Sequence, residues 1–231
     1  QLHEGHRARL KKRFLTEGLD NFDEVHVLEL LLFYAVPRID TKPLARSLLD
    51  RFGSLALVLE ATEEELMTVP GVGENIATFL PLITAAGRYY RRQKADRQGI
   101  LDSLEKYGDY LLNMFYGKRN EAVYLLCLDS KFKVLCCREV GEGDANCVNV
   151  PIRKAVEIAL STNATMVIMA HNHPSGIALP SREDIDTTER LAKALGAMDI
   201  ILADHVVVAD DDYISMVQSR CYDPRQFSRL L

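Results

Sequence analysis

Between Asp96 and Ser103 (DRQGILDS) the periodicity of the chain changes, and this change limits the fold more than any other feature. Before it, apolar residues recur at helical spacing. The run from Glu24 to Phe33 is dense in Leu and Val, and Thr41 to Phe52 repeats the pattern, with Pro43 suited to a first helical turn. Thr62-Glu63-Glu64-Glu65 has the form of a capping box, and a further helix is expected from Glu74 to about Lys94. After the change, β-rich apolar runs at 122–129, 133–140, 165–170 and 204–209 alternate with helical patterns at 151–162 and 181–197. Asp210-Asp211-Asp212, between Val208 and Tyr213, reads as a hairpin turn, so part of the sheet is expected to be antiparallel. The pattern predicts two domains, a helical one over residues 1–98 and an α/β one over residues 99–231.

Hydrophobic residues make up 48% and charged residues 26%, which excludes a largely disordered chain. No window offers eighteen uninterrupted apolar residues, and the first residues (QLHEGHRARLKKRF) lack the apolar stretch of a signal peptide. The 5 cysteines contain no C-x-x-C pair, which argues against both a disulfide framework and a thiolate zinc knuckle. A cytoplasmic protein with free thiols is expected, without a membrane partner. Of the net charge of -5, the whole acidic excess falls after residue 98. Within the balanced first part, basic residues cluster at Arg7, Arg9, Lys11, Lys12 and Arg13, and again at Arg88, Arg91, Arg92, Lys94 and Arg97. Such clusters could face phosphates, although solvated helix faces are the more common fate of a charge run.

Val69-Pro70-Gly71-Val72-Gly73 puts two glycines in a turn between helical patterns. Glycine allows close backbone approach, and free N–H groups at the start of the next helix can bind a phosphate oxygen. The segment resembles the helix-hairpin-helix element of DNA repair and processing proteins, which implies DNA as a partner. Gly71, Gly73, Arg88, Arg91 and Arg92 are then the candidate contacts. A compact turn packing two helices, or a protein-binding scaffold, is the other reading.

Residues 170–184 (AHNHPSGIALPSRED) carry the chemistry. His171 and His173, at i and i+2 at the end of an apolar strand, project to one side and can reach a single ion. Asp184, on the following helix, offers a third ligand. Two histidines and one aspartate leave the fourth tetrahedral position of a zinc ion to water, the mark of a catalytic rather than a structural site. Taken alone, Ser181-x-x-Asp184 is also a capping box.

The combined spacing, H-x-H, seven residues, S, two residues, D, resembles the JAMM (JAB1/MPN/Mov34) metalloprotease motif. AHNHPSG, PSREDI and the later Asp204-His205 narrow the resemblance to the bacterial RadC family. It implies a three-layer JAB/MPN-like α/β domain with a mixed sheet, preceded by a helix-hairpin-helix domain. It also implies Zn²⁺ on His171, His173 and Asp184, with Glu139 on an upstream strand as general base and Ser181 donating to the oxyanion. Glu142 is the alternative base. For Asp204 and His205 the resemblance supplies no role, and a partner orienting a ligand histidine competes with a satisfied strand-end pair. The implied activity is hydrolysis of a peptide or isopeptide bond in a protein linked to DNA repair. The competing readings are a DNA-binding accessory with a structural or vestigial metal site, and a nuclease using the same zinc.

Overall fold

The computed structural model describes residues 2–37, 39–95, 99–143, 150–174 and 176–228, the side chains of residues 2–4, 95 and 142 excepted. Asp96, Arg97, Cys147 and Ser175 lie outside the described residues, as does the side chain of Glu142. The chain divides into two compact units, Gln1–Gly87 and Arg88–Leu231. The division therefore falls inside a long helix, ahead of the compositional break at 96–103.

The first unit is helical: α1 (Leu2–Glu17), α2 (Glu24–Ala35), α3 (Lys42–Phe52), α4 (Leu55–Glu60), α5 (Glu63–Met67) and the start of α6 (Glu74–Ala95). Local signals set the ends. Asp23, Ser54 and Thr62 each accept a backbone N–H at a helix start, and Thr62 with Glu65 forms the full capping box. Leu28, Leu32, Leu48, Val58, Leu66, Ile76 and Leu80 make the core. Between α5 and α6 the turn at 69–73 buries Val69 and leaves Gly71 and Gly73 exposed, with Gly71 at φ +92°. A side chain there would be strained, which is why glycine occupies it.

The second unit holds α7 (Leu104–Phe115), β1 (Glu121–Leu128), β2 (Val134–Gly143), α8 (Ile152–Ser161), β3 (Met166–Asn172), α9 (Arg182–Gly196), β4 (Ile201–Ala209) and β5 (Asp212–Ser215). The strands form a mixed five-stranded sheet in the order β2-β1-β3-β4-β5. β3 and β4 are parallel, joined through α9, and the other pairs are antiparallel. Alternation sorts side chains to two faces. Val123, Leu125, Cys127, Val167 and Met169 pack in one cluster with residues of α8 and α9. Ala122, Tyr124, Leu126, Ile168 and Ala170 pack in another with Tyr110, Leu111 and Met114 of α7. Covered on both faces, β1 and β3 read as continuous apolar runs rather than alternating ones.

Gly108 of α7 lies against the Tyr213 ring of β5, where an added Cβ would overlap the ring carbons. Gly108→Ala is therefore expected to lower stability by about 1–3 kcal/mol despite its better helix propensity. Urea unfolding reads this as a lower midpoint at unchanged slope.

Candidate metal centre

Strand parity delivers the first ligand. His171 follows Val167 and Met169 on the α8/α9 face, near the buried end of β3, and is 2% exposed. His173 lies one residue past the strand, but its N–H still bonds to the Val208 carbonyl at 2.8 Å, so the pleat continues and both imidazoles meet on one side. Across the ladder Val123 pairs with His171. Glu121, two residues earlier in β1 and of the same parity, comes to that side as well. Its carboxylate and the two imidazoles each offer a ligand atom, all within 4.8 Å of one another.

Asp184 arrives from the first turn of α9. The capping box fixes it: Asp184 N–H donates to Ser181 Oγ at 3.1 Å, while Ser181 N–H and Oγ–H both donate to Asp184 Oδ2 at 2.7 Å. Oδ1 then lies 3.2 Å from His171 Nε2, and Oδ2 lies 3.7 Å from His173 Nε2. Burial pushes the Asp184 carboxyl up, but the hydrogen bonds and charge of His171, with the Ser181 bonds, outweigh it and hold the group well below the usual carboxylate range. It is an anion at every physiological pH.

These separations suit a metal. Two ligands on a tetrahedral zinc, each ~2.0–2.1 Å from the ion, sit roughly 3.3 Å apart. His171 Nε2 and His173 Nε2 are 2.9 Å apart, so the nitrogen pair and the two carboxylate contacts bracket that value. The Ile177 carbonyl, 2.9 Å from His173 Nδ1, can only accept a proton, so a neutral His173 presents a bare Nε2 to the cluster. Two imidazoles with the Glu121 carboxylate on one side and the Asp184 carboxylate beside both rings make a donor set that fits a divalent transition ion.

A further layer holds these groups. His205 of β4, 2% exposed, places Nε2 2.7 Å from His171 Nδ1 and Nδ1 2.6 Å from Thr188 Oγ1. Burial, reinforced by repulsion from His171, pushes His205 well below the ordinary imidazole value, so it is neutral. Asp204 faces away from it and accepts from Tyr107 and Ser215 hydroxyls and from the His205 and Val217 N–H groups. Of the pair, His205 therefore lies against His171, and Asp204 is satisfied by its own partners on the other face. Asn172 points to the opposite face from His171. It accepts from Ala122 N–H at 2.8 Å and donates to the Asn120 carbonyl at 3.1 Å, which clamps the backbone on either side of Glu121.

Glu139, expected as the base, lies elsewhere. It pairs with Tyr124 in the β1–β2 ladder and accepts from the Tyr124 hydroxyl and Lys118 Nζ, each at 2.9 Å. Tyr124 belongs to the α7-side cluster, so Glu139 is on the face of the sheet opposite His171. Glu121, not among the residues expected from the sequence, is the acid on the His171 face. The signal was its spacing from Val123, Leu125 and Cys127, one face of a single strand. Ser181, expected to donate to an oxyanion, here directs its one hydroxyl proton to Asp184. The arginines of α6 also have local work: Arg88 donates to the Tyr116 and Gly117 carbonyls, Arg91 stacks 4.0 Å over the Tyr116 ring, and Arg92 is exposed.

No helix among the described residues is long and apolar enough to cross a membrane. The sequence profile of the RadC-like JAB domain matches residues 101–221. A UPF0758 protein of Ruegeria pomeroyi is 37% identical over 203 residues, covering 88% of this chain and 91% of its own length. A UPF0758 protein of Fusobacterium nucleatum is 32% identical over 223 residues, or 94% of this chain and 96% of that protein. Another, of Rhodobacter capsulatus, is 38% identical over 199 residues, or 86% and 93%. The matches take in both the His-lined end of the sheet and most of the helical unit before it, and the chain belongs to the RadC family of JAB-domain proteins.

Proposed function

We propose that this protein is a zinc-dependent hydrolase that cleaves a peptide or isopeptide bond. One observation carries the reading: His171 Nε2, His173 Nε2 and the Asp184 carboxylate converge at 2.9 to 3.7 Å, with a Glu121 carboxylate oxygen within 4.8 Å of a ring nitrogen of each histidine. His171, His173 and Asp184 hold the ion. Zinc in that set supplies a Lewis acid that polarises a carbonyl and makes water acidic near neutral pH. Glu121 takes the proton of the attacking water and returns it to the departing nitrogen, a transfer that suits a carboxylate at hydrogen-bond reach of that water. Asn172 keeps Glu121 aimed by fixing the backbone on both sides of it. Ser181 keeps Asp184 deprotonated and oriented.

The test is metal analysis of purified wild type and His171→Ala together, followed by a screen of peptide, isopeptide and nucleic-acid substrates. About one zinc per chain in the wild type and none in the variant is expected, with peptide cleavage only by the former. DNA cleavage without peptide cleavage would replace the peptidase with the nuclease.

We further propose that the first unit is a helix-hairpin-helix element touching nucleic-acid phosphate through the 69–73 turn. The exposed Gly71 and the open space around Gly73 favour this, because they let a phosphate approach the backbone. Fluorescence anisotropy with single-stranded and branched DNA is expected to give salt-sensitive binding that Gly71→Ala with Gly73→Ala weakens at least tenfold, about the effect of losing two phosphate contacts. If that binding is lost in the double variant while Glu121→Gln has no effect in cells, the chain is a DNA-binding accessory instead.

A further inference from the structure

The geometry points to Thr188 and His205 as positioning residues that set the tautomer of His171, so that Nε2 is the nitrogen left to a metal. The inference rests on the metal-centre reading above and adds two residues that touch neither ion nor substrate.

Thr188 Oγ1 lies 2.6 Å from the Asp184 carbonyl and 2.6 Å from His205 Nδ1. A hydroxyl has one proton, and a carbonyl can only accept. If Thr188 donated to His205, two oxygens would face each other at 2.6 Å with no hydrogen between them, so Thr188 donates to the Asp184 carbonyl. His205 must then donate from Nδ1–H to Thr188 Oγ1. An imidazole whose one proton is on Nδ1 has a bare Nε2 that accepts, and the group 2.7 Å away is His171 Nδ1. His171 therefore keeps a proton on Nδ1, and the nitrogen left for an ion is Nε2, which faces His173 and Asp184.

The direction of this relay matters because free imidazole in water favours the other tautomer, with the proton on Nε2. The relay begins at the backbone of one ligand, Asp184, and ends on the ring of another, His171. The capping turn of α9 and the end of β3 are thereby tied together. All of it is sealed from water, with Thr188 fully buried and His171 and His205 each 2% exposed.

The experiment uses the full chain, labelled with ¹⁵N at histidine, stripped of metal, and read by long-range ¹H–¹⁵N correlation spectra. The same samples are titrated with zinc against a chromophoric chelator. Four variants are compared. Thr188→Val and His205→Leu break the relay with little change in volume. Thr188→Ser and His205→Gln keep its polarity, since a glutamine carbonyl can accept from His171 while its amide donates to Thr188. Wild type, Thr188→Ser and His205→Gln are expected to show His171 as the Nδ1–H form and to bind zinc within about threefold of one another. Thr188→Val and His205→Leu are expected to show His171 shifted toward the Nε2–H form and to bind zinc about 10- to 100-fold more weakly.

The relay is overturned if His171 is in the Nε2–H form in wild type, if breaking the relay leaves its tautomer unchanged, or if His205→Gln weakens zinc as much as His205→Leu does. The amide spectra of the same samples identify any variant that has lost its fold, and the surviving pair of broken and retained variants then decides. A wild type with the expected tautomer but no zinc binding overturns the metal-centre reading instead, which separates the two failures.

Discussion

Glu121→Gln is expected to lower peptide hydrolysis by about 10²–10⁴-fold while leaving zinc stoichiometry unchanged. Glutamine keeps the shape and the hydrogen-bonding reach of the side chain but cannot accept and return a proton, so binding and chemistry separate. Glu139→Gln is the internal control. Its carboxylate receives Tyr124 and Lys118 on the opposite face of the sheet, and a change there is expected to alter kcat/KM by less than about tenfold. Measuring kcat/KM and bound zinc for both variants in one preparation distinguishes the two strands as the source of the base. A large loss in Glu139→Gln with little in Glu121→Gln would mean that strand parity has been assigned to the wrong face. Asn172→Ala offers an intermediate case: it frees the backbone around Glu121 without touching the carboxylate, and a loss smaller than that of Glu121→Gln is expected.

The two glutamates also show what a sequence discloses and what it withholds. The convergence of His171, His173 and Asp184 was legible because local rules place it: strand parity joins His171 to His173, and Ser181-x-x-Asp184 is a helix start whose N3 carboxylate meets both rings. The strands, the helices between them and the β4–β5 turn were legible for the same reason, because apolar period and turn chemistry are local. Glu139 misled because facing depends on register. The β1–β2 ladder shifts between Val123 and Tyr124, and no count along one strand discloses such a bulge in a pair. His205 lies 34 residues from His171 in sequence, and only the parallel pairing of β3 with β4 brings the rings together. The arginines of α6 read as a phosphate-facing cluster because the charge run is visible in sequence, while the carbonyls and the ring that Arg88 and Arg91 engage are not.

Chelation is expected to lower the melting temperature of the second unit by roughly 5–10 °C, and His171→Ala to melt at one temperature with or without zinc. Zinc at about 100 times its dissociation constant stabilises the folded state by ~2.7 kcal/mol. For a unit of this size each kcal/mol moves the transition by roughly 2–4 °C. The structure gives the sign. Without an ion, two imidazoles and a carboxylate crowd within 2.9 to 3.7 Å of one another in a partly buried cluster, held only by the protons they share. An ion converts that crowding into bonds available only to the folded chain, because His171, His173 and Asp184 come from the end of a strand, the loop after it and the first turn of a helix. Calorimetry with zinc, with chelator, and with zinc restored after chelation checks the prediction. The helical first unit, which contains none of these donors, serves as the reference transition. A melting temperature indifferent to zinc in wild type, or equally sensitive in His171→Ala, would show that the ion does not reside among these residues.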